Sequence, residues 1–86
     1  MYRIKLTKEA VKFYKKCDIK TKRQINECFN ILKENPNNHV NIKRLHGELS
    51  GLLRYRIGSI RIIFSINEEE VTVIILSMGN RGDVYK

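Results

Sequence analysis

Apolar and polar residues alternate with period two from Leu53 to Phe64, on both sides of Gly58-Ser59, and the rest of the chain is organised around this stretch. Such alternation about a Gly-Ser pair predicts a β-hairpin with a two-residue loop. In that register Ile57 faces Ile60, Tyr55 faces Ile62 and Leu53 faces Phe64, so one side of the ribbon is wholly apolar. On the other side Arg56 stands opposite Arg61, and Arg54 lies one step along the same face. Like charges in a cross-strand pair destabilise a sheet by roughly 0.2 to 1 kcal/mol. A bound anion removes that repulsion, which makes this face a candidate phosphate site.

The remaining elements follow the same kind of pattern. Tyr2 to Leu6 alternates as a short strand, and Thr7 supplies a side-chain oxygen suited to cap a helix. Ala10, Phe13, Tyr14 and Cys17 fall on one helical stripe, and Ile25, Cys28, Phe29 and Leu32 repeat it on a second helix. Thr21 with Gln24 has the form of a capping box for that second helix, and Asp18 is an equally good cap. Pro36 disfavours helical geometry in Asn35 and so ends the helix there. His39 to Ser50 carries a weak signal and reads as loop, with a fragment of strand around Lys43 to Leu45.

After an acidic turn at Asn67-Glu68-Glu69-Glu70, Val71 to Met78 is apolar on both faces, as in a strand near the middle of a sheet. With Glu68-Glu69 at the centre of the turn, Ile66 pairs with Val71, Phe64 with Val73 and Ile62 with Ile75. Ile63, Ile74, Leu76 and Met78 then form an apolar strip on the face away from the helices, a protein-binding surface unless a loop covers it. The expectation is one α+β domain over residues 1–86, in the order βααβββ, an antiparallel sheet with two helices packed on one face.

Composition sharpens the picture. A chain of 86 residues buries only roughly 60% of its unfolded surface, so its core must be simple. Seventeen Lys and Arg against nine Asp and Glu leave a formal net charge of +8, which implies nucleic acid, an anionic membrane or an acidic partner protein. The cations are spread along the chain, as on a folded basic surface. The start of the chain alternates instead of forming a leader, and no apolar run approaches a bilayer span, so a cytoplasmic protein without membrane contact is expected. Cys17 and Cys28 have no metal-site spacing and occupy apolar helix positions, as buried reduced thiols do.

The run from Leu45 through Gly47, Arg54, Tyr55, Arg56, Gly58 and Arg61 to Phe64, followed by Ile75-Leu76-Ser77-Met78-Gly79-Asn80-Arg81-Gly82-Asp83-Val84-Tyr85, resembles the RelE/ParE toxin superfamily. The resemblance spans most of the chain and lies in the ordered set of motifs. It implies the toxin half of a type II toxin-antitoxin pair. In the RelE branch that means cleavage of messenger RNA in the ribosomal A site, by attack of the ribose 2′-hydroxyl to leave a 2′,3′-cyclic phosphate, with neither metal nor cofactor. Carried over by position, Arg54 and Arg56 resemble the phosphate-binding pair and Arg61 the arginine that stabilises the transition state. Arg81 resembles the residue that assists the leaving 5′-oxygen, and Tyr85 the closing tyrosine that acts as base or stacks on a base. Glu48 and His46 are alternative acid-base groups, whereas His39 has no case for a role.

Two departures bear on proton transfer. Asn80 stands where the family often has histidine, and arginines stand at positions 54 and 56 where some members carry lysine. The partners implied are an acidic RelB-like antitoxin, the ribosome and mRNA, with operator DNA bound through the antitoxin. A ParE-like inhibitor of DNA gyrase without catalysis is the alternative.

Overall fold

The computed structural model describes residues 1–80. Strand β1 (Arg3–Leu6) leads into helices α1 (Lys8–Lys16) and α2 (Ile19–Glu34), and β2 (Ile42–Arg44), β3 (Leu53–Ile57), β4 (Ile60–Asn67) and β5 (Thr72–Asn80) follow. A single 3-10 turn, Gly47–Leu49, lies between β2 and β3.

The helix boundaries are set by local chemistry. The Thr7 hydroxyl accepts from Ala10 N at 3.2 Å and so caps α1. Asp18 caps α2, its carboxylate accepting from Thr21 N at 2.8 Å. A hydrogen bond from the Thr21 side chain, together with this backbone one, holds the Asp18 carboxyl below the usual range. Thr21 is therefore not the cap. The helix stops at Asn35, before the buried ring of Pro36.

The sheet has the order β1-β5-β4-β3-β2. From β2 to β5 every pair is antiparallel, but β1 runs parallel to β5, with Ile4 opposite Val73 and Leu6 opposite Ile75. The sheet is thus mixed. The strand β2 accounts for the difference, because one more strand in the meander adds one more reversal of the chain and leaves β5 parallel to β1. Its three residues are too few to show period-two alternation in the sequence.

Both helices lie on one sheet face. Ala10, Ile25, Cys28 and Leu32 pack there against Leu53, Tyr55, Ile62, Phe64, Val73 and Ile75, the apolar side of the hairpin and its continuation. Cys28 is buried and free, and burial pushes its thiol up to about 12. Cys17 is free and only half-buried.

The β3–β4 register is the one the alternation predicts, with Gly58 at φ +57° in the loop. The β4–β5 register differs. Ile66 pairs with Val73 and Phe64 with Ile75, two residues along from the expectation, because residues 68–71 all belong to the turn. A shift of two keeps each side chain on its expected face. A second irregularity does not: Ile63 pairs with Ser77 while Phe64 pairs with Ile75, so Leu76 is an extra residue in β5. Beyond this bulge the alternation inverts. Met78 pairs with Ile62 and joins the core, so it leaves the outer apolar strip, and Ile63 on the outer face is itself only 4% exposed.

Candidate nucleic-acid interface

The face of the sheet away from the helices carries the polar positions of each strand. Lys43 of β2 stands beside Arg54 of β3, and Arg56 of β3 stands beside Arg61 of β4. Side chains so paired begin about 5 Å apart at Cβ. The three arginines singled out from the sequence thus share one face, at the end of the sheet where the β3–β4 loop turns.

Their exposures differ. Arg56 is exposed and Arg54 half-buried, whereas Arg61 is 9% exposed, the one cation counted among the buried described residues. Its cross-strand neighbour on β5 is Gly79. The Leu76 bulge produces this pairing: strict alternation would have set Met78 on the outer face, and the inverted phase sets a residue with no side chain beside Arg61. Arg61 is therefore flanked by Arg56 on one strand and by the Gly79 backbone on the other.

The bulge is held in place from α1. Thr7 donates its hydroxyl to the Leu76 carbonyl at 2.7 Å, and Thr7 N donates to the Ile75 carbonyl at 3.1 Å. The residue that caps the helix also satisfies the irregular backbone of the strand that shapes the site.

Other expected site residues fall elsewhere. Glu48 is exposed in the 3-10 turn, and His46 is exposed at its start without a side-chain capping bond. Neither has a contact that ties it to the arginines among the described residues. Arg81 and Tyr85 lie outside the described residues; the last described residue, Asn80, pairs with Ile60. Tyr55, between Arg54 and Arg56 in sequence, faces the core at 2% exposure. Burial pushes its phenol up, a hydrogen bond with the Asn41 side chain opposes this, and His39 stacks on the ring at 5.4 Å. The His39 Nδ1 accepts from Asn41 N at 3.1 Å, so this histidine is a packing and turn residue.

Lys43 and Gly79 belong to this surface and are not evident in the sequence. Lys43 sits in a strand too short to show a period, and Gly79 reads as a pattern-breaking turn residue unless the bulge before it is known.

Two helices on one side of a five-stranded sheet, with arginines clustered on the other, define a RelE-type fold. A chain of the toxin-antitoxin complex RelBE2 from Mycobacterium tuberculosis superposes with a TM-score of 0.81 at 28% identity, covering 93% of this chain and 98% of that one. The archaeal RelE-RelB complex from Pyrococcus horikoshii OT3 gives a TM-score of 0.81 at 30% identity, covering 96% and 98%. In sequence, the toxin RelG of Mycobacterium tuberculosis (strain ATCC 25618 / H37Rv) is 39% identical over 44 residues; that segment spans 51% of each chain. The family model for the ParE toxin of type II toxin-antitoxin systems (parDE) matches residues 4–85, and the chain belongs to this family, within the RelE/ParE superfamily. It is a toxin of a type II toxin-antitoxin system.

Proposed function

We propose that this toxin is a ribosome-dependent endoribonuclease that cuts mRNA in the A site. The observation that carries the reading is the placement of Arg54, Arg56 and Arg61 on one outer face, with Arg61 sunk beside Gly79. Attack of a ribose 2′-oxygen on the adjacent phosphorus forms one P–O bond and breaks the bond to the 5′-oxygen. Negative charge builds on the non-bridging oxygens as this happens, and fixed guanidinium donors meet it bidentately. On this reading Arg61 stabilises the transition state, Arg54 and Arg56 hold phosphate, and Arg81 assists the departing 5′-oxygen. Tyr85 takes the 2′-hydroxyl proton or stacks on a base. A phenol has a reference pKa of about 10 and is a weak base at neutral pH. In-line geometry imposed by the ribosome supplies the orientation.

The acidic antitoxin of this reading is RelB-like, in keeping with the complexes to which the fold is similar. One observation favours a second reading. The matching family model is that of the ParE toxin, which points to gyrase inhibition without chemistry.

The experiment is primer extension on a translated reporter mRNA with purified toxin, with and without ribosomes, comparing wild type with Arg61→Ala and Arg81→Ala. Cuts that require ribosomes and both arginines are the expected result. Intact mRNA in every lane, together with blocked supercoiling by purified gyrase, would replace it with the second reading.

A further inference from the structure

The basic face does not end at the three arginines. Lys43 is the cross-strand partner of Arg54, and its neighbour Ile42 packs toward the core, so Lys43 is turned to the outer face and is exposed. This makes a second pair of like charges, Lys43 with Arg54, one step behind Arg56 with Arg61. The outer positions of β2, β3 and β4 are Lys43, Arg54, Arg56, Arg61, Ile63, Ser65 and Asn67, and none is a carboxylate. The Nε of Arg54 is buried and has no acceptor, a donor that its surroundings leave unsatisfied.

The spacing of the two pairs is informative. They are offset by two residues along β3 and by one strand across the sheet, which sets their midpoints roughly 8 Å apart. Long Lys and Arg stems close that distance to the separation of consecutive phosphates on an extended strand of RNA.

We propose that Lys43 is a positioning residue that completes a second phosphate seat with Arg54, so that the toxin grips two consecutive phosphates of its RNA. The scissile phosphate takes the Arg56–Arg61 seat and its neighbour takes the Lys43–Arg54 seat. The inference rests on the ribonuclease reading for the identity of the strand, but the pair of seats is tested without cleavage.

The test is calorimetric titration of the purified toxin with adenosine 3′,5′-bisphosphate and with adenosine 3′-monophosphate. Wild type is expected to bind the bisphosphate about tenfold more tightly, since each seated phosphate adds charge-assisted bonds. Lys43→Ala should abolish that preference, Lys43→Arg should keep it, and Lys20→Ala, which removes an exposed cation from α2, should leave it intact. Equal affinity for the two nucleotides in wild type, no binding of either, or equal losses in Lys43→Ala and Lys20→Ala would overturn the proposal. A toxin that prefers the bisphosphate yet never cuts translated mRNA would keep the double seat and lose the ribonuclease.

Discussion

Val71 has a φ of 49°, a left-handed conformation that a β-branched residue rarely adopts. Its side chain is 43% exposed, so little packing offsets the strain. Asn tolerates this region, and Val71→Asn is expected to raise stability by about 1 kcal/mol, a gain of roughly 4 to 8 °C in Tm for a chain of this size. An unchanged or lowered Tm would show that the valine contacts outweigh the strain. Cys28 gives a prediction at high pH. Its thiol is pushed from 9.0 to about 12 by burial, so the folded state keeps a proton that the unfolded chain gives up. The contribution to stability is complete below pH 9, falls as pH rises and is lost above about 12. Tyr55, raised chiefly by burial, acts in the same direction. Denaturant midpoints should fall from pH 9 upward, and less steeply in Cys28→Ala. At this scale the sequence identified the cap Thr7, the buried Cys28 and the outer-face arginines, because each depends on local chemistry or simple periodicity. The strain at Val71 depends on how long the turn is, and no single residue signals that.

Among the elements, the β3–β4 hairpin was legible to the residue because a two-residue loop leaves one register. The β4–β5 hairpin was not. Glu68, Glu69 and Glu70 mark a turn without fixing its length, and the Leu76 bulge leaves no mark in a run as uniformly apolar as Val73-Ile74-Ile75-Leu76. The cost fell on the site: Met78 was expected on the outer face, and the position beside Arg61 belongs to Gly79. Thr7 is where this becomes testable. Thr7→Ala removes both the cap on α1 and the bond to the Leu76 carbonyl, and should destabilise the protein by about 2 kcal/mol, at the upper end for a cap. Amide exchange at residues 75–79 should quicken more than in the interior of α2. Equal acceleration everywhere would mean that Thr7 acts only through global stability.

For the whole molecule, a net charge of +8 says that polyanions are attracted but not which surface receives them. Salt dependence separates the surfaces. If Lys43, Arg54, Arg56 and Arg61 are the contacts and seat two phosphates, binding of a single-stranded RNA should fall with log salt at a slope of about −1.4, near 0.7 for each neutralised phosphate. A slope beyond about −5 would bring in the lysines of α1 and α2 as a docking surface. The helical lysines look like solvated faces in the sequence, and the fold places them on the side opposite the arginines, so two distinct basic surfaces share one chain. The extra residue in β5 also acts as a frameshift in the strand's alternation. Upstream of Leu76 odd-numbered residues enter the core, and downstream even-numbered ones do. Deleting Leu76 would restore plain alternation and leave Met78 in the core and Gly79 beside Arg61, whereas inserting one residue between Leu76 and Met78 would exchange their faces and set Met78 beside Arg61. Inserting a pair there would preserve both.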